Sequence, residues 1–140
     1  MVESGDTMSG TYYKDNCLKP LFNNVRRQRP KSGLHGIKLH HDDARPHHTN
    51  DIKMFLQEEG VMLVPHPPYS PDLAPSDFWL FGYLKQQLGS YPNSKSLQLA
   101  VTRELRAIPQ GEFRKAFQSW VNRMKLCIDN KGDYFEHLMK

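Results

Sequence analysis

The sequence predicts an α/β fold, and three observations carry that reading. A strand-like run from Ile37 to His41 is followed by a helical pattern opening near Asn50, then by Val61-Met62-Leu63-Val64, an apolar segment bounded by Gly60 and Pro65. Elsewhere the apolar residues recur at helical spacing. Strand, helix and strand in that order imply a right-handed parallel crossover. Ligands of such sheets gather at the carboxyl ends of the strands, where Asp42 stands.

Taken in order, the first element is a helix from about Ser9 to Arg29, with Tyr13, Cys17, Leu21 and Val25 as an i+4 stripe, a kink expected at Pro20 and a stop at Pro30. After a loop at Lys31-Ser32-Gly33, Ile37 and Leu39 share one face of the first strand. Asn50 is the expected N-cap of the next helix, which carries Ile52, Phe55 and Leu56 and ends at Gly60. The unbroken apolar run of the second strand predicts burial on both faces. Pro65 to Pro75 holds five prolines and reads as a stiff, extended connector. Ser76 is the expected cap of a helix on which Asp77, Phe81, Leu84 and Leu88 share a face, so Asp77 should point inward and need a cation or N–H partner. Two further helices carry Leu97, Val101, Leu105 and Ile108, then Phe113, Phe117, Trp120, Met124 and Cys127, separated by Pro109.

Composition bounds the function. A chain of 140 residues with 38% hydrophobic and 11% aromatic content suits one domain with a core, which excludes a disordered class. No apolar run approaches the roughly 20 residues that span a bilayer. The polar opening Met1 to Asp6 lacks the order of a signal peptide, so the reading is an intracellular chain with no membrane partner. Cys17 and Cys127 stand far apart and read as buried thiols. A formal net charge of +4 favours a polyanionic partner, and Arg26, Arg27, Arg29 and Lys31 cluster in a way that suits phosphate contacts. The same cluster also suits the C-terminus of a helix dipole.

Two aspartates carry the chemistry. Asp42 ends the first strand and Asp77 opens a helix, and carboxylates so placed can converge on a hard divalent cation, the usual agent of phosphodiester chemistry. Singly, each reads as a turn or capping residue. Both sit in distinctive words, His41-Asp42-Asp43-Ala44-Arg45-Pro46-His47 and Tyr69-Ser70-Pro71-Asp72-Leu73-Ala74-Pro75-Ser76-Asp77, with 34 residues between the two aspartates. The chain thereby resembles the catalytic domain of mariner-type DNA transposases, whose second and third metal-binding aspartates stand in HDNARPH and YSPDLAPSD words at that spacing. The resemblance extends from Tyr12-Tyr13 and Leu18-Lys19-Pro20-Leu21 to Trp120, Cys127-Ile128 and Gly132-Asp133-Tyr134-Phe135.

The resemblance implies an incomplete ribonuclease-H-like fold with strands at about 37–41 and 61–64 and about five helices. Residues 1–140 would form a single partial catalytic domain, with 94–140 its C-terminal helical part. It implies Asp42 and Asp77 as catalytic metal ligands for Mg²⁺ or Mn²⁺, nuclear localisation, and DNA as partner without sequence specificity. In the family three aspartates hold two ions that drive strand cleavage and strand transfer. The first has no counterpart here, because about forty residues precede Asp42 and the only aspartates among them are Asp6 and Asp15, the latter on a helix. Inactivity of the chain alone is therefore expected, and self-association or a partner completing the sheet. Asp43 replaces the family's asparagine and adds charge beside Asp42. Arg45 and His47 are expected to support the site or contact phosphate, and Asp72 to be a turn residue. The alternatives are a non-catalytic nucleic-acid-binding protein of transposon origin, a decayed fragment without a role, and a zinc protein. The last would use His40, His41, His47, His48 and His66, whose spacing fits no closed four-ligand pattern.

Overall fold

The structure, a computed structural model, describes residues 7–133 and 135–139. Asp6 and Tyr134 lie outside the described residues. The chain forms two compact units, residues 1–68 and 69–140, divided within the proline connector.

In the first unit a helix begins at α1 (Gly10–Tyr12), where the Ser9 hydroxyl accepts from the Tyr12 N–H at 3.1 Å, and ends as α2 (Lys19–Gln28). Between them Tyr13–Leu18 winds as a π-helical turn, with the Lys19 N–H donating to the Lys14 carbonyl. Pro20 supplies no N–H and its ring crowds the carbonyl four residues back, so the preceding turn widens and the helix runs on through the expected kink. The extra residue re-phases the apolar stripe. Leu18 and Phe22 are buried, while Leu21 is exposed and Cys17 only partly covered. The expected 13-17-21-25 stripe thus becomes Tyr13, Leu18, Phe22 and Val25.

β1 (Lys38–His40) and β2 (Met62–Val64) pair in parallel, with Lys38 opposite Met62, Leu39 opposite Leu63 and His40 opposite Val64. The crossover is α3 (Asn50–Glu58). Its N-cap is Thr49, whose hydroxyl accepts from the Ile52 N–H at 3.4 Å, and Asn50 is the first helical residue. Gly60, at φ 68°, closes it: its N–H donates to the Gln57 carbonyl at 3.1 Å and the Val61 N–H to the Leu56 carbonyl at 3.0 Å. That pair of bonds satisfies carbonyls the helix leaves open, in a backbone conformation suited to glycine. Ile52 is fully buried among Leu18, Phe22, Leu34, Phe55, Leu56 and Val61, and the Phe22 and Phe55 rings stack at 5.7 Å. β2 is not buried on both faces: Met62 is 62% exposed. Leu39 and Leu63 pack against the core, so the alternate residues Lys38 and Met62 project from the opposite face and meet solvent.

In the second unit a short 3₁₀ turn, Pro71–Leu73, leads to a second π-helical turn, Ser76–Leu80, then α4 (Phe81–Gln87), α5 (Ser94–Ala107) and α6 (Gln110–Asp129). Ser76 is the first residue of its helix rather than its cap, Pro75 occupying the cap position without a side-chain bond. The Asn93 side chain caps α5 by accepting from the Ser96 N–H at 2.9 Å. Leu73, Ala74, Leu84, Ala100, Ile108, Ala116 and Phe135 are the buried apolar residues of this unit. Ala116, not Phe117, faces inward on α6, and Phe117 is 55% exposed with its ring against Trp120. Leu105 is likewise exposed, because Ala100 and Ile108 mark the inward face of α5. Cys127 is partly exposed rather than buried. No helix among the described residues is long and apolar enough to cross a membrane.

Phe22 stacks within a packed cluster, so truncation leaves a cavity that the strand pair and α3 cannot close. Phe22→Ala is expected to cost about 3–5 kcal/mol in urea unfolding. A loss below about 1 kcal/mol would show that this cluster is not the core of its unit.

Candidate functional site

Asp42 stands two residues beyond the end of β1, at the carboxyl end of the parallel pair. Its Oδ1 accepts from the Ala44 N–H at 3.1 Å, which closes a tight turn, and lies 2.7 Å from His47 Nδ1. The same His47 nitrogen is 3.3 Å from the Asp42 carbonyl, so one imidazole grips both backbone and side chain. His47 reaches that place because Arg45–His48 forms a 3₁₀ turn that folds back over the strand end. Tyr13, on the first π turn, lies against its ring with centroids 4.2 Å apart. His41 completes the cluster, stacked on His47 at 4.9 Å and bonded through Nδ1 to the Tyr13 hydroxyl at 3.0 Å.

The electrostatics of this cluster divide by burial. His41 is buried, which with the nearby His47 and His48 pushes its pKa down to about 4, so it is neutral at pH 7. Burial, with Cys17 and Asp42 nearby, pushes the Tyr13 hydroxyl up to about 12 and keeps it a donor. Partial burial alone would raise Asp42. The Ala44 N–H bond and the charge and hydrogen bond of His47 outweigh it, and the carboxyl is held below its ordinary value. The Asp42 side chain is 58% exposed, and both partners named above fall on Oδ1. An ionised, accessible oxygen donor of this kind fits a hard divalent cation.

The other expected residues are distributed as follows. Asp43 turns to His48 Nε2 at 3.0 Å. Arg45 is exposed. Arg26 pairs with Glu59 and Arg27 with the Asn24 side chain. Arg29 donates to the Gly33 and His35 carbonyls at 3.1 and 3.3 Å, so it closes the loop before β1. Lys31 is exposed. Asp15 lies on the first π turn and pairs with Lys19 at 2.6 Å. The histidines form a His40–His66 contact at 3.1 Å and the stack around His41, and among the described residues no group of three or more His, Cys, Asp or Glu could hold a metal ion.

Asp77 stands in the second unit on the Ser76–Leu80 π turn and is exposed, as is Phe81 at 50%. The wide turn lies between Asp77 and Leu84 and takes Asp77 off the face a regular helix would give it. Asp77 therefore needs no buried partner. It lines a cavity of about 500 Å³ with Asp72, Phe78, Cys127, Asp133 and Glu136. Asp72 lies in the Pro71–Leu73 turn, as expected of a turn residue. Arg123 was not signalled by any motif: its guanidinium lies 4.2 Å from the Phe78 ring centroid and donates to the Asp72 carbonyl. Its place at the inward phase of α6, among Ala116, Trp120 and Cys127, was the one available clue.

The chain is 27% identical over 144 residues to the mariner Mos1 transposase of Drosophila mauritiana, covering 97% of this chain and 40% of that protein. It is 31% identical over 137 residues to the human histone-lysine N-methyltransferase SETMAR, covering 96% of this chain and 20% of that protein. The crystal structure of the catalytic domain of Mos1 mariner transposase superposes with a TM-score of 0.86 at 25% identity, over 96% of this chain and 67% of that one. The chain belongs to the mariner-type transposase catalytic domains. Its fold is accordingly ribonuclease-H-like. The Mos1 mariner paired end complex with Mn matches this mariner-type chain with a TM-score of 0.85 at 27% identity, over 94% of this chain and 39% of that one. The chain spans well under half the length of the two curated relatives. No protein-family model matches it.

Because His47 holds Asp42 ionised, His47→Ala should raise the Asp42 pKa, read by carboxyl-carbon NMR across a pH titration. A depressed folded pKa contributes stability that is present above the unfolded value and lost as pH falls through the folded one. In the variant the loss should be smaller and should be complete at a higher pH. An unchanged Asp42 titration would remove His47 from this role.

Proposed function

We propose that Asp42 and Asp77 are the second and third metal-ligand aspartates of a mariner-type transposase catalytic domain, and that the chain derives from DNA cleavage and strand-transfer machinery. The observation that carries this reading is the pair of words around the two aspartates at a spacing of 34 residues, within a chain 31% identical to one curated relative over 96% of its length. The ionised, accessible Asp42 carboxylate supports it. Residues 1–140 are read as one partial catalytic domain, with 94–140 as its C-terminal helical part.

Mg²⁺ or Mn²⁺ is the fitting cofactor, since carboxylate oxygens suit hard cations and the matched Mos1 complex is one with Mn. Bound there, the metal would activate water and stabilise the leaving oxygen of a phosphodiester. The protein's part is to hold the Asp42 carboxylate ionised, through His47 and the Ala44 N–H, and to leave Asp77 accessible at the start of its helical turn. Asp43, paired with His48, adds charge beside Asp42.

DNA is the expected partner, held through phosphate contacts without sequence preference, and the cell nucleus the expected place. The two-stranded sheet among the described residues, with strand edges open to pairing, supports self-association or a partner that completes it. The second reading, non-catalytic nucleic-acid binding, is favoured by exposed Lys31 and Arg45. Arg26 and Arg29 belong less to it, being engaged by Glu59 and by backbone carbonyls.

Mn²⁺ titration followed by electron paramagnetic resonance tests the ligand assignment. Asp42→Ala and Asp77→Ala should each weaken binding about tenfold, and unchanged binding in both would sink it. The 140-residue chain by itself is expected not to nick or join DNA in Mg²⁺ or Mn²⁺, because two carboxylates do not fix two ions about a phosphate. Plasmid nicking that needs metal and disappears in Asp42→Ala would contradict that expectation.

DNA affinity should be sequence-tolerant and fall by about 0.9 log unit per phosphate contact for each tenfold rise in salt. Titrations of unrelated duplexes at two salt concentrations read this slope. A strong preference for one sequence, or affinity indifferent to salt, would contradict the phosphate-contact account.

A further inference from the structure

We propose that Arg123 is a positioning residue for the Asp77 carboxylate, acting through the turn that carries it; the inference rests on the reading of Asp77 as a metal ligand. Arg123 lies on α6, and its side chain is only 13% exposed. Its Nη1 donates to the Asp72 carbonyl at 3.1 Å and to Glu136 Oε1 at 2.8 Å, while the guanidinium carbon sits 4.2 Å from the Phe78 ring centroid. One group thereby holds both flanks of Asp77.

The segment that carries Asp77 needs such a hold. Pro71 and Pro75 have no N–H to donate, and Tyr69 adopts φ 54°, a conformation unfavourable for a side-chain-bearing residue. Its backbone bonds include the Leu73 N–H to Ser70 at 3.0 Å and the Ala74 N–H to Pro71 at 3.1 Å. The Ala74 carbonyl then accepts from both the Asp77 N–H at 2.9 Å and the Phe78 N–H at 3.0 Å. Asp77 thus hangs from the turn at one end and from the Phe78 ring at the other. The guanidinium fastens the first through the Asp72 carbonyl and the second through its face.

Arginine suits this task and lysine does not. The planar guanidinium can donate in its plane to a carbonyl and a carboxylate while its face meets an aromatic ring. An ammonium offers a single compact charge with no face to stack. Glu136 supplies the counter-charge that a largely buried cation requires. Were Arg123 no more than a tie for the C-terminal turn, its loss would free the segment around Glu136 and leave residues 73–78 unchanged.

Residue-resolved amide hydrogen exchange on the full chain separates these outcomes. In Arg123→Met the amides of Leu73, Ala74, Asp77 and Phe78 should exchange about tenfold faster, as loss of a charge-assisted bond implies. Amides of Val101 and Thr102 in α5 and of Phe55 and Leu56 in α3 should stay within about twofold. Arg123→Lys should not restore protection, whereas Glu136→Gln, which keeps the guanidinium, should lose about threefold at the same four amides. Unchanged exchange at those amides, or an even rise across α5 as well, would overturn the proposal. If Arg123→Met does not fold, Arg123→Lys and Glu136→Gln carry the same test. Loss of protection at the four amides in a chain whose unsubstituted form binds no Mn²⁺ at Asp77 would sink the metal reading and leave positioning established.

Discussion

The parallel pairing of β1 with β2 is the constraint on which the first unit depends. Two strands side by side in the same direction cannot be joined by a tight turn, so the chain must cross over, and α3 is the element that does it. The crossover needs an apolar face against the sheet, and Ile52, Phe55 and Leu56 supply it over Leu18 and Phe22 from the first helix. The register that sets Leu39 opposite Leu63 also sets His40 opposite Val64, which leaves His41 and Asp42 just beyond the ladder. Asp42 is therefore presented at a strand end by packing that lies elsewhere, with the Arg45–His48 turn folded back to meet it.

Two helices widen by a π turn, and the second does so where Asp77 stands. Pro20 provides a cause for the first: a residue without an N–H and with a bulky ring makes the preceding turn open. The consequence is that Tyr13 and Leu18, five positions apart, share the inward face, and Tyr13 reaches His41 and His47. At Ser76–Leu80 the same widening takes Asp77 off the Leu84 face and into the open. Both turns lie near prolines, at Pro20 and Pro75, and both re-phase the residues around them relative to the core stripe.

The surroundings of Asp42 show how neighbouring groups of similar kind are set apart. His41 is neutral because it is buried, and it serves as a ring to stack on and an acceptor for Tyr13. His47, less enclosed, spends its Nδ1 on Asp42 and helps hold that carboxyl ionised. In the second unit the division falls to Arg123, whose charge meets Glu136 while its face meets Phe78. In each unit the aspartate stays accessible while the groups that hold its local backbone are covered.

The sequence by itself determined the strand–helix–strand order, the end of α3 at Gly60, the helices either side of Pro109 and, through two words at a fixed spacing, the family. These are local properties: apolar period, turn residues and capping groups act within a few positions and leave a readable pattern. Tertiary structure decided the phase of the first helix, the exposure of Asp77 and Phe81, the inward place of Ala116 rather than Phe117, and the open face of β2 at Met62. It also decided that Arg29 closes a loop, that His47 grips Asp42, and that Arg123 joins residues 51 positions apart. A period of 3.6 residues assumes a regular helix, and one wide turn displaces every position beyond it. Side-chain partners distant in the chain are chosen by which surfaces packing brings together, and no spacing in a single sequence records that choice.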